Sequence, residues 1–475
     1  MKSGDSLSTS ASRSRESLAS GLSRVLGDKV VSEVQILKLY SRDASTESGV
    51  LPVSLVFAES VEDVRAALRF ALDNGLKLIA VGSSTSLAGN SVPKAEDTLI
   101  LSMERMSKIL EISEIDWVAR VQPGIRVDEL NYELARHGLQ WPVDPASSKS
   151  ATVGGVIADG GGGTKGAKYG SSPYWISALE VVTGTGDVLR LGCRTVKCRE
   201  GYDLLHLFIG SEGTLGIVTE ATLRLAPLPE AFVGVMAEFD GMGQLVSSVV
   251  EARRRRLWPM VTEFLDSETS EALGLKGKYH LWAGTDVNAG SEEGVLSKLS
   301  GAVTDAGGRI VAVARNMADF MTAMAPRRAL YSGGLNVGFN MYGTDALVFW
   351  EDIAVPISEL PAAVEELLKL GNDFGIKLLL GGHIGDGNLH PGLLVRRTAP
   401  EDEVKKYMSL IEKIGELAIR HGGTVSAEHG IGVQKKGLIS MKYRSTGSEA
   451  ALEAMRSVKR IFDPHNVLNP GKVLP

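Results

Sequence analysis

Small residues crowd three short stretches in the first half of this chain, and an ordinary packed core is not built that way. The stretches are Gly82 to Gly89, Gly154 to Gly170 and Gly210 to Gly216. Without a Cβ, backbone N–H groups can approach an anion closely, and a flat ring system has room beside them. In the first stretch a strand-like Leu78 to Val81 runs into Gly82-Ser83-Ser84-Thr85-Ser86-Leu87-Ala88-Gly89, so four hydroxyls add donors at a strand end. One loop of this kind is usually a tight surface turn. Three within one region point to a large phosphate-bearing cofactor.

The obvious dinucleotide motif fails on context. Gly161-Gly162-Gly163-Thr164-Lys165-Gly166 matches G-x-G-x-x-G, with Glu180 at about the distance of a ribose contact. That motif needs a buried strand before it and a helix after it. Here Thr152 to Ala158 reads as a helix start with a glycine pair, and Lys168-Tyr169-Gly170 does not read as helix. A nicotinamide-binding Rossmann domain is therefore not expected.

At 475 residues the chain exceeds one hydrophobic core. Its first half alternates strands and helices. The pattern predicts strands at 53–57, 78–81, 99–102, 109–112 and 117–121, helices at 61–74 and 127–137, and a hairpin of 179–183 with 188–191 around Gly184-Thr185-Gly186-Asp187. After Ala226-Pro227-Leu228-Pro229 glycine and proline thin out, and a separate α+β unit begins with a strand at 233–239. A last helix, 448–462, stops at Asp463-Pro464. The expected division is a disordered Ser-rich tail over 1–20, a cofactor domain over 21–228, a substrate domain over 229–435, and a helical segment over 436–475. The net charge of -6 and pI near 5.9 argue against a nucleic-acid partner. The run Arg253 to Arg256 reads as a solvated helix end. The first twenty residues, with Asp5 and Glu16 and no apolar core, carry no secretory signal. No apolar run approaches the ~18 residues of a membrane span. The two cysteines, Cys193 and Cys198, exclude a disulfide framework and fit a reduced, cytoplasmic setting without a role of their own.

Taken in order, Gly82 to Gly89, Trp141-Pro142-Val143-Asp144-Pro145, Ala151 to Gly155, Gly162-Gly163-Thr164 through Tyr169-Gly170, and Gly210 to Val218 resemble the FAD domain of the vanillyl-alcohol oxidase superfamily. The chain is most similar there to D-lactate dehydrogenases, D-2-hydroxyglutarate dehydrogenases and the FAD-linked subunit of glycolate oxidase. The resemblance implies an α+β fold: a two-part FAD-binding domain of the PCMH type, an α+β cap domain, and a C-terminal helical segment returning to the FAD domain. It also implies that Gly82, Ser83, Ser84, Thr85, Ser86, Leu87, Gly89 and Asn90 hold the pyrophosphate. Pro145, Thr152, Gly154, Gly155, Gly162, Thr164, Glu212, Gly213, Gly216, Ile217, Val218 and Asn469 would line the rest of the cofactor. Relatives often have three glycines where this chain has Gly82-Ser83-Ser84. The loop lacks the histidine that covalent members attach to flavin, so non-covalent FAD is expected.

In the second half, three of the eight histidines fall in two short motifs, His383-Ile384-Gly385-Asp386-Gly387-Asn388-Leu389-His390 and Glu428-His429-Gly430-Ile431-Gly432. His383 and His390 would point to opposite faces of a straight strand, but Gly385 and Gly387 let the loop bend until they converge. Two imidazoles and a carboxylate form a divalent-metal set with open positions. The resemblance makes His383, His390 and Glu428 the ligands of zinc, manganese or iron, and His429 the base. Asn388 is expected to contact substrate or flavin, Asp386 to support the loop, and Arg327 of the pair Arg327-Arg328 to bind the substrate carboxylate.

The implied reaction is metal-assisted oxidation of a small D-2-hydroxy acid. His429 would take the hydroxyl proton while the Cα hydrogen leaves to the flavin as hydride. Many relatives have an arginine after Val355-Pro356, where this chain has Ile357; a monocarboxylate such as D-lactate is favoured over glycolate or D-2-hydroxyglutarate. Electrons would pass to a quinone, a cytochrome, an electron-transfer flavoprotein or a partner subunit. A homodimer and peripheral attachment to the inner membrane face stay open. The alternative from another reaction class is a non-redox transferase of the alkyl-dihydroxyacetone-phosphate synthase type. That type has a run of histidines where this chain has Ala427-Glu428-His429. A flavin-binding subunit without catalysis would lack the His383-to-His390 motif.

Overall fold

A computed structural model describes residues 14–475. Helix Val61–Asn74 shows how directly local chemistry sets the first unit. Ser60 caps it by accepting the Asp63 N–H, Glu62 and Asp63 sit in its first turn, and Gly75 ends it in the left-handed region at φ 66°. Its Val64, Ala67, Leu68 and Ala71 share one buried face with Leu18, Leu22 and Leu26 of helix Arg15–Leu26. Beneath lies a four-stranded sheet in the order Val30–Val31, Ser54–Phe57, Thr98–Ser102, Lys77–Val81, whose last three strands are parallel. The small-residue loop from Gly82 therefore leaves the carboxyl end of a parallel strand, where open α/β sheets present their ligand crevices. Within the tail expected over 1–20, Ser14 caps a helix starting at Arg15; residues 1–13 lie outside the described residues.

A second, antiparallel sheet runs in the order Ile109–Ser113, Val118–Val121, Gly216–Arg224, Ile176–Thr183, Val188–Gly192. Its last two strands form the expected hairpin. Fully buried Trp141 and Phe208 anchor the core under it. Helix Val153–Asp159 packs there, capped by Thr152. The segment Gly166–Tyr169 makes one helical turn, which the sequence reading did not expect. The dinucleotide motif nonetheless follows a helix rather than a strand, and Glu180 is tied to Arg190 on the sheet surface at 2.8 Å. Cys193 and Cys198, expected as reduced thiols, are joined by a disulfide. Five residues is a short separation, but the bend after Gly192 brings their Cα atoms to 6.0 Å.

The third sheet has eight antiparallel strands. Its order is Arg309–Ala314, Ala231–Phe239, Tyr279–Val287, Val261–Leu265, Leu378–Gly382, Asn388–Arg396, Ala346–Trp350, with Ile353–Ala354 also on Asn388–Arg396. Alternation along these strands serves two cores. Phe264, Leu281, Leu380 and Leu393 meet helices Met242–Arg254, Glu292–Asp305, Leu360–Phe374 and Glu401–Arg420 on one face. Val261, Leu265, Trp282 and Leu379 meet Phe320, Met324, Leu330 and Val337 on the other. Arg253, read as part of a solvated helix end, donates from Nη2 to the Gly385 carbonyl at 2.9 Å, so that helix end braces the histidine loop.

The chain then returns to its first sheet. After helix Glu449–Phe462, the Asp463 carboxylate accepts the N–H groups of Val467 and Leu468, and Leu468 pairs in parallel with Leu78. Lys472 donates to the carbonyls of Gly89 and Val92, both at 2.7 Å. No helix among the described residues is long and apolar enough to cross a membrane.

Candidate active site

Strand register explains why His383 and His390 meet. Strands Leu378–Gly382 and Asn388–Arg396 form a hairpin in which Gly381 pairs with His390. His383 stands two residues beyond Gly381, hence on the same face. A turn over Ile384–Asp386 and Gly387 at φ 86° closes the hairpin. At Gly387 a Cβ would sit 2.0 Å from the Val355 carbonyl oxygen, so both the turn and the packing demand glycine. The two imidazoles come edge to face, 5.3 Å between centroids, and both residues are buried.

Their Nε2 atoms converge on one carboxylate. Glu428 Oε1 lies 3.0 Å from His383 Nε2 and 3.4 Å from His390 Nε2. Glu428 is carried by a loop that joins the hairpin through Thr424, which exchanges hydrogen bonds with Ala354. Asp352 anchors this loop. Its Oδ2 accepts the N–H groups of Ala427, Glu428 and His429 at 2.8, 2.9 and 2.9 Å and the Ser426 hydroxyl at 3.0 Å. On the far side of the turn, Glu212 accepts the N–H groups of Ile431 and Gly432 at 2.6 and 2.9 Å. The histidine-bearing turn thus hangs between two buried carboxylates from opposite halves of the chain.

Each ring nitrogen pointing away from Glu428 has its own acceptor. His383 Nδ1 lies 2.6 Å from Glu263 Oε1. His390 Nδ1 lies 3.3 Å from the Glu351 carbonyl and 3.8 Å from Asp352 Oδ1. Sheet register places both carboxylates: the pairing of Phe264 with Gly382 sets Glu263 opposite His383, and the pairing of Ile353 with Leu389 sets Asp352 opposite His390. His429 stacks flat on His390 at 5.0 Å, and its ring has no hydrogen-bond partner among the described residues.

The charges follow from burial and neighbours. Burial favours neutral His383, but Glu263 and Glu428 on either side raise it well above the ordinary imidazole range. Burial likewise opposes a charge on Glu428, yet His383 and His390 hold it well below the usual carboxylate range. Burial also opposes ionisation of Asp352, and His429, Lys435 and His390 still keep it low. His429 goes the other way: burial pushes it down to about 4 against the pull of Asp352, so it is a neutral imidazole near pH 7. Burial pushes Asp386 up to about 7.

A cavity of about 570 Å³ opens beside this cluster, with Glu428 and His429 in its wall. Gly82, Ser83, Ser84, Thr85, Ser86, Leu87, Asn90, Pro145, Thr152, Gly154, Gly155, Gly162, Glu212, Gly213, Gly216, Ile217, Val218 and Asn469 line it. Two expected cofactor residues do not. Gly89 packs on Glu47 and Val433, and its carbonyl serves Lys472. Buried Thr164 turns its hydroxyl to Asp144 Oδ2 at 2.7 Å. Asn388 also departs from expectation: its Nδ2 donates to Asp352 Oδ1 at 2.8 Å and to the Ile353 carbonyl at 2.9 Å, away from the cavity. Arg327 is buried, does not line the cavity, and is paired with Glu263 Oε2 at 2.9 Å behind the His383–His390–Glu428 cluster. Arg328 pairs with Asp144 at 3.1 Å and joins the two halves.

Residues 228–473 match the family described as FAD linked oxidases, C-terminal domain, and residues 52–192 match the one described as FAD binding domain. The chain belongs to the FAD-linked oxidases. It is 31% identical to the glycolate oxidase subunit GlcD of Bacillus subtilis over 92% of each chain. It is 33% identical to a D-2-hydroxyglutarate dehydrogenase of Xanthomonas citri, again over 92% of each, and 32% identical to a D-lactate dehydrogenase of Anaerostipes hadrus over 89% of each. In fold it is similar to p-cresol methylhydroxylase (TM-score 0.72, 18% identity, 96% of each chain). It is also similar to alkyldihydroxyacetonephosphate synthase (TM-score 0.73, 18% identity, 98% of this chain and 86% of that one).

This FAD-linked oxidase has a cavity that fits its cofactor. The volume is within the usual range for an organic ligand. The walls are glycine where a Cβ would intrude: at Gly82 it would stand 2.2 Å from Thr152 Oγ1. Two buried oxygens of lining residues, Asn90 Oδ1 and Asn469 Oδ1, have no partner and stand ready for one.

Sequence reasoning missed Glu263, Asp352 and the bracing role of Glu212. The signal for Glu263 is a charged residue in Val261–Leu265, a strand buried at every position. For Asp352 it is the acidic pair Glu351-Asp352 inside the apolar run from Phe349 to Val355, with no glycine or proline to make it a turn.

Proposed function

We propose that this protein oxidises a small D-2-hydroxy acid, D-lactate first, to the 2-oxo acid at a divalent-metal site of His383, His390 and Glu428. The observation that carries this reading is the convergence of two imidazole Nε2 atoms on Glu428, with neutral His429 beside them in the wall of the flavin cavity. The donor set suits zinc, manganese or iron. Three ligand atoms lie within 4.8 Å of one another, and the far nitrogen of each histidine is already engaged. A second grouping, Asp352 with His390 and His429, suits a cation less well, because Asp352 is saturated by five donors.

When bound, the ion supplies an electrophile for the substrate hydroxyl and the flavin a two-electron acceptor. The protein's part is orientation and proton transfer. Neutral His429 takes the hydroxyl proton on its ring nitrogen facing the cavity, and its charged form is then met by Asp352. Arg327, whose buried Nε has no partner, binds the substrate carboxylate. Ile357 packs into the apolar core of the third sheet and offers no second cation, which favours a monocarboxylate. Relatives named for D-lactate, D-2-hydroxyglutarate and glycolate support the substrate class.

The test is anaerobic addition of D-lactate to the FAD-loaded protein. The flavin absorbance is expected to bleach. A flavin that stays yellow with every small 2-hydroxy acid, glycolate and D-2-hydroxyglutarate included, overturns the proposal in favour of non-redox chemistry.

A further inference from the structure

Glu263 has one carboxylate and two buried clients. Its Oε1 lies 2.6 Å from His383 Nδ1, and its Oε2 lies 2.9 Å from Arg327 Nη2. Glu263 is 0% exposed, Arg327 4% and His383 5%. An anion this deep is costly unless it is paired on both sides. The sheet leaves it little freedom. Glu263 sits mid-strand, with Phe264 paired to Gly382, and the alternation that buries Val261 and Leu265 on the same face aims it toward the Arg327 side. Arg327 stands on the turn Ala325–Arg328, beside Met324 in that same core. Its contact with Glu263 is an ion pair and not an aligned hydrogen bond, and Arg327 Nε is a buried donor that still lacks a partner.

We propose that Glu263 is a positioning residue that couples the two binding functions of the site. One oxygen fixes the His383 ring so that Nε2 faces the metal position. The other holds the Arg327 guanidinium so that its free edge meets the substrate carboxylate. This rests on the metal and substrate reading given above. A carboxylate behind a ligating histidine sets its tautomer and raises its basicity. Sharing that carboxylate with Arg327 means a change at Glu263 is felt at both clients. Loss of the anion is therefore expected to weaken metal and carboxylate binding together, although Glu263 touches neither.

The experiment uses full-length, FAD-loaded protein stripped of metal by a chelator, titrated with zinc by calorimetry. After reloading with zinc, KM and kcat for D-lactate are measured. The variants are Glu263→Gln, Glu263→Asp, Arg327→Lys and His383→Ala. Glu263→Gln keeps the shape and loses the charge; it is expected to retain FAD, bind zinc about 10- to 100-fold more weakly, and raise KM more than it lowers kcat. Arg327→Lys should raise KM and leave zinc affinity within about threefold. Glu263→Asp keeps the charge with a shorter reach and is expected to recover part of the zinc affinity. Zinc affinity and KM both unchanged in Glu263→Gln overturn the coupling, and so does a loss of zinc affinity at unchanged KM. Wild-type protein that takes up no divalent ion, or His383→Ala protein that binds zinc as the wild type does, overturns the metal reading and this proposal with it. Zinc uptake lost in His383→Ala but normal in Glu263→Gln overturns this proposal alone. Should Glu263→Gln lose its FAD, the Glu263→Asp titration decides: zinc affinity equal to wild type at a side chain one methylene shorter refutes a positioning role.

Discussion

Replacing Asp352 with asparagine tests whether the Glu428–His429 turn is held by a charge. In the native protein four donors reach Oδ2, namely the Ala427, Glu428 and His429 N–H groups and the Ser426 hydroxyl, and Asn388 Nδ2 reaches Oδ1. Hydrogen bonds to a charged acceptor contribute about 1.5–3 kcal/mol each and neutral ones about 0.5–1.5. An amide oxygen in the Oδ2 position keeps four bonds but weakens each by about 1 kcal/mol. The amide nitrogen then faces the Asn388 donor, losing one bond at about 1–3 kcal/mol. Relief from burying a charge offsets part of this, which leaves a net loss of roughly 2–4 kcal/mol. With about 2.1 cal/mol/K of unfolding entropy per residue, a chain of 475 residues shifts by about 1 °C per kcal/mol, so the melting point should fall by roughly 2–4 °C. Displacement of His429 by about 1 Å should lower kcat by about 100-fold. FAD content should be unchanged, because Asp352 does not line the cavity. The assays are a calorimetric melt, the flavin-to-protein absorbance ratio and steady-state turnover. Asp352→Asn protein that melts within a degree of wild type at full turnover would refute the claim that this carboxylate organises the turn.

His429→Ala is expected to retain FAD yet reduce it with D-lactate at least about 100-fold more slowly; stopped-flow flavin bleaching at the wild-type rate removes His429 from the reaction. Gly82→Ala drives a Cβ to 2.2 Å of Thr152 Oγ1, which also caps Gly155 and has little room to yield. Overpacking of about 1–3 kcal/mol predicts FAD binding roughly ten- to hundredfold weaker in a fluorescence titration, and wild-type affinity would show that the loop relaxes freely. Stability should fall as pH rises from about 4 to 7. Burial raises Asp266 to about 6 and Glu212 to about 7, so the folded state binds more protons than the unfolded chain across that window. A rise of two pH units at Asp266 corresponds to about 3 kcal/mol, and urea melts of Asp266→Asn should show a flatter pH profile; an unchanged slope removes Asp266 as the source.

What was legible in the sequence tracks how local the governing physics is. Helix Val61–Asn74 could be read to the residue because its cap, its acidic first turn and its glycine stop are neighbours in the chain. The convergence of His383 and His390 was readable because the glycines that bend the loop lie between them. Asn388 was misread for the complementary reason: an amide in a histidine motif looks destined for a ligand, and its actual partner Asp352 is 36 residues away. Arg327 was placed near the site, but its partner Glu263 arrives from a strand whose register no local pattern reports.

The same distinction explains how the site is built. The groups aimed at the cavity, Glu428 and His429, ride on an irregular turn with little packing of its own. Their precision comes from acceptors fixed elsewhere: Asp352 beside the hairpin, Glu263 within the sheet, and Glu212 at the rim of the flavin cavity. Glu212 makes the arrangement more than a brace. It lies in the glycine-rich stretch of the first half, lines the cavity, and its carbonyl accepts from Asn469 of the returning C-terminus at 2.8 Å. Three distant parts of the chain therefore meet at one residue, and the turn that carries the proposed base is registered against the cofactor domain rather than the cap alone. The proposed metal site, assembled this way, depends on contacts from both halves of the chain. Metal affinity should consequently depend on Glu212 even though it is no ligand, and the dependence should run through the Ile431 and Gly432 N–H groups it accepts.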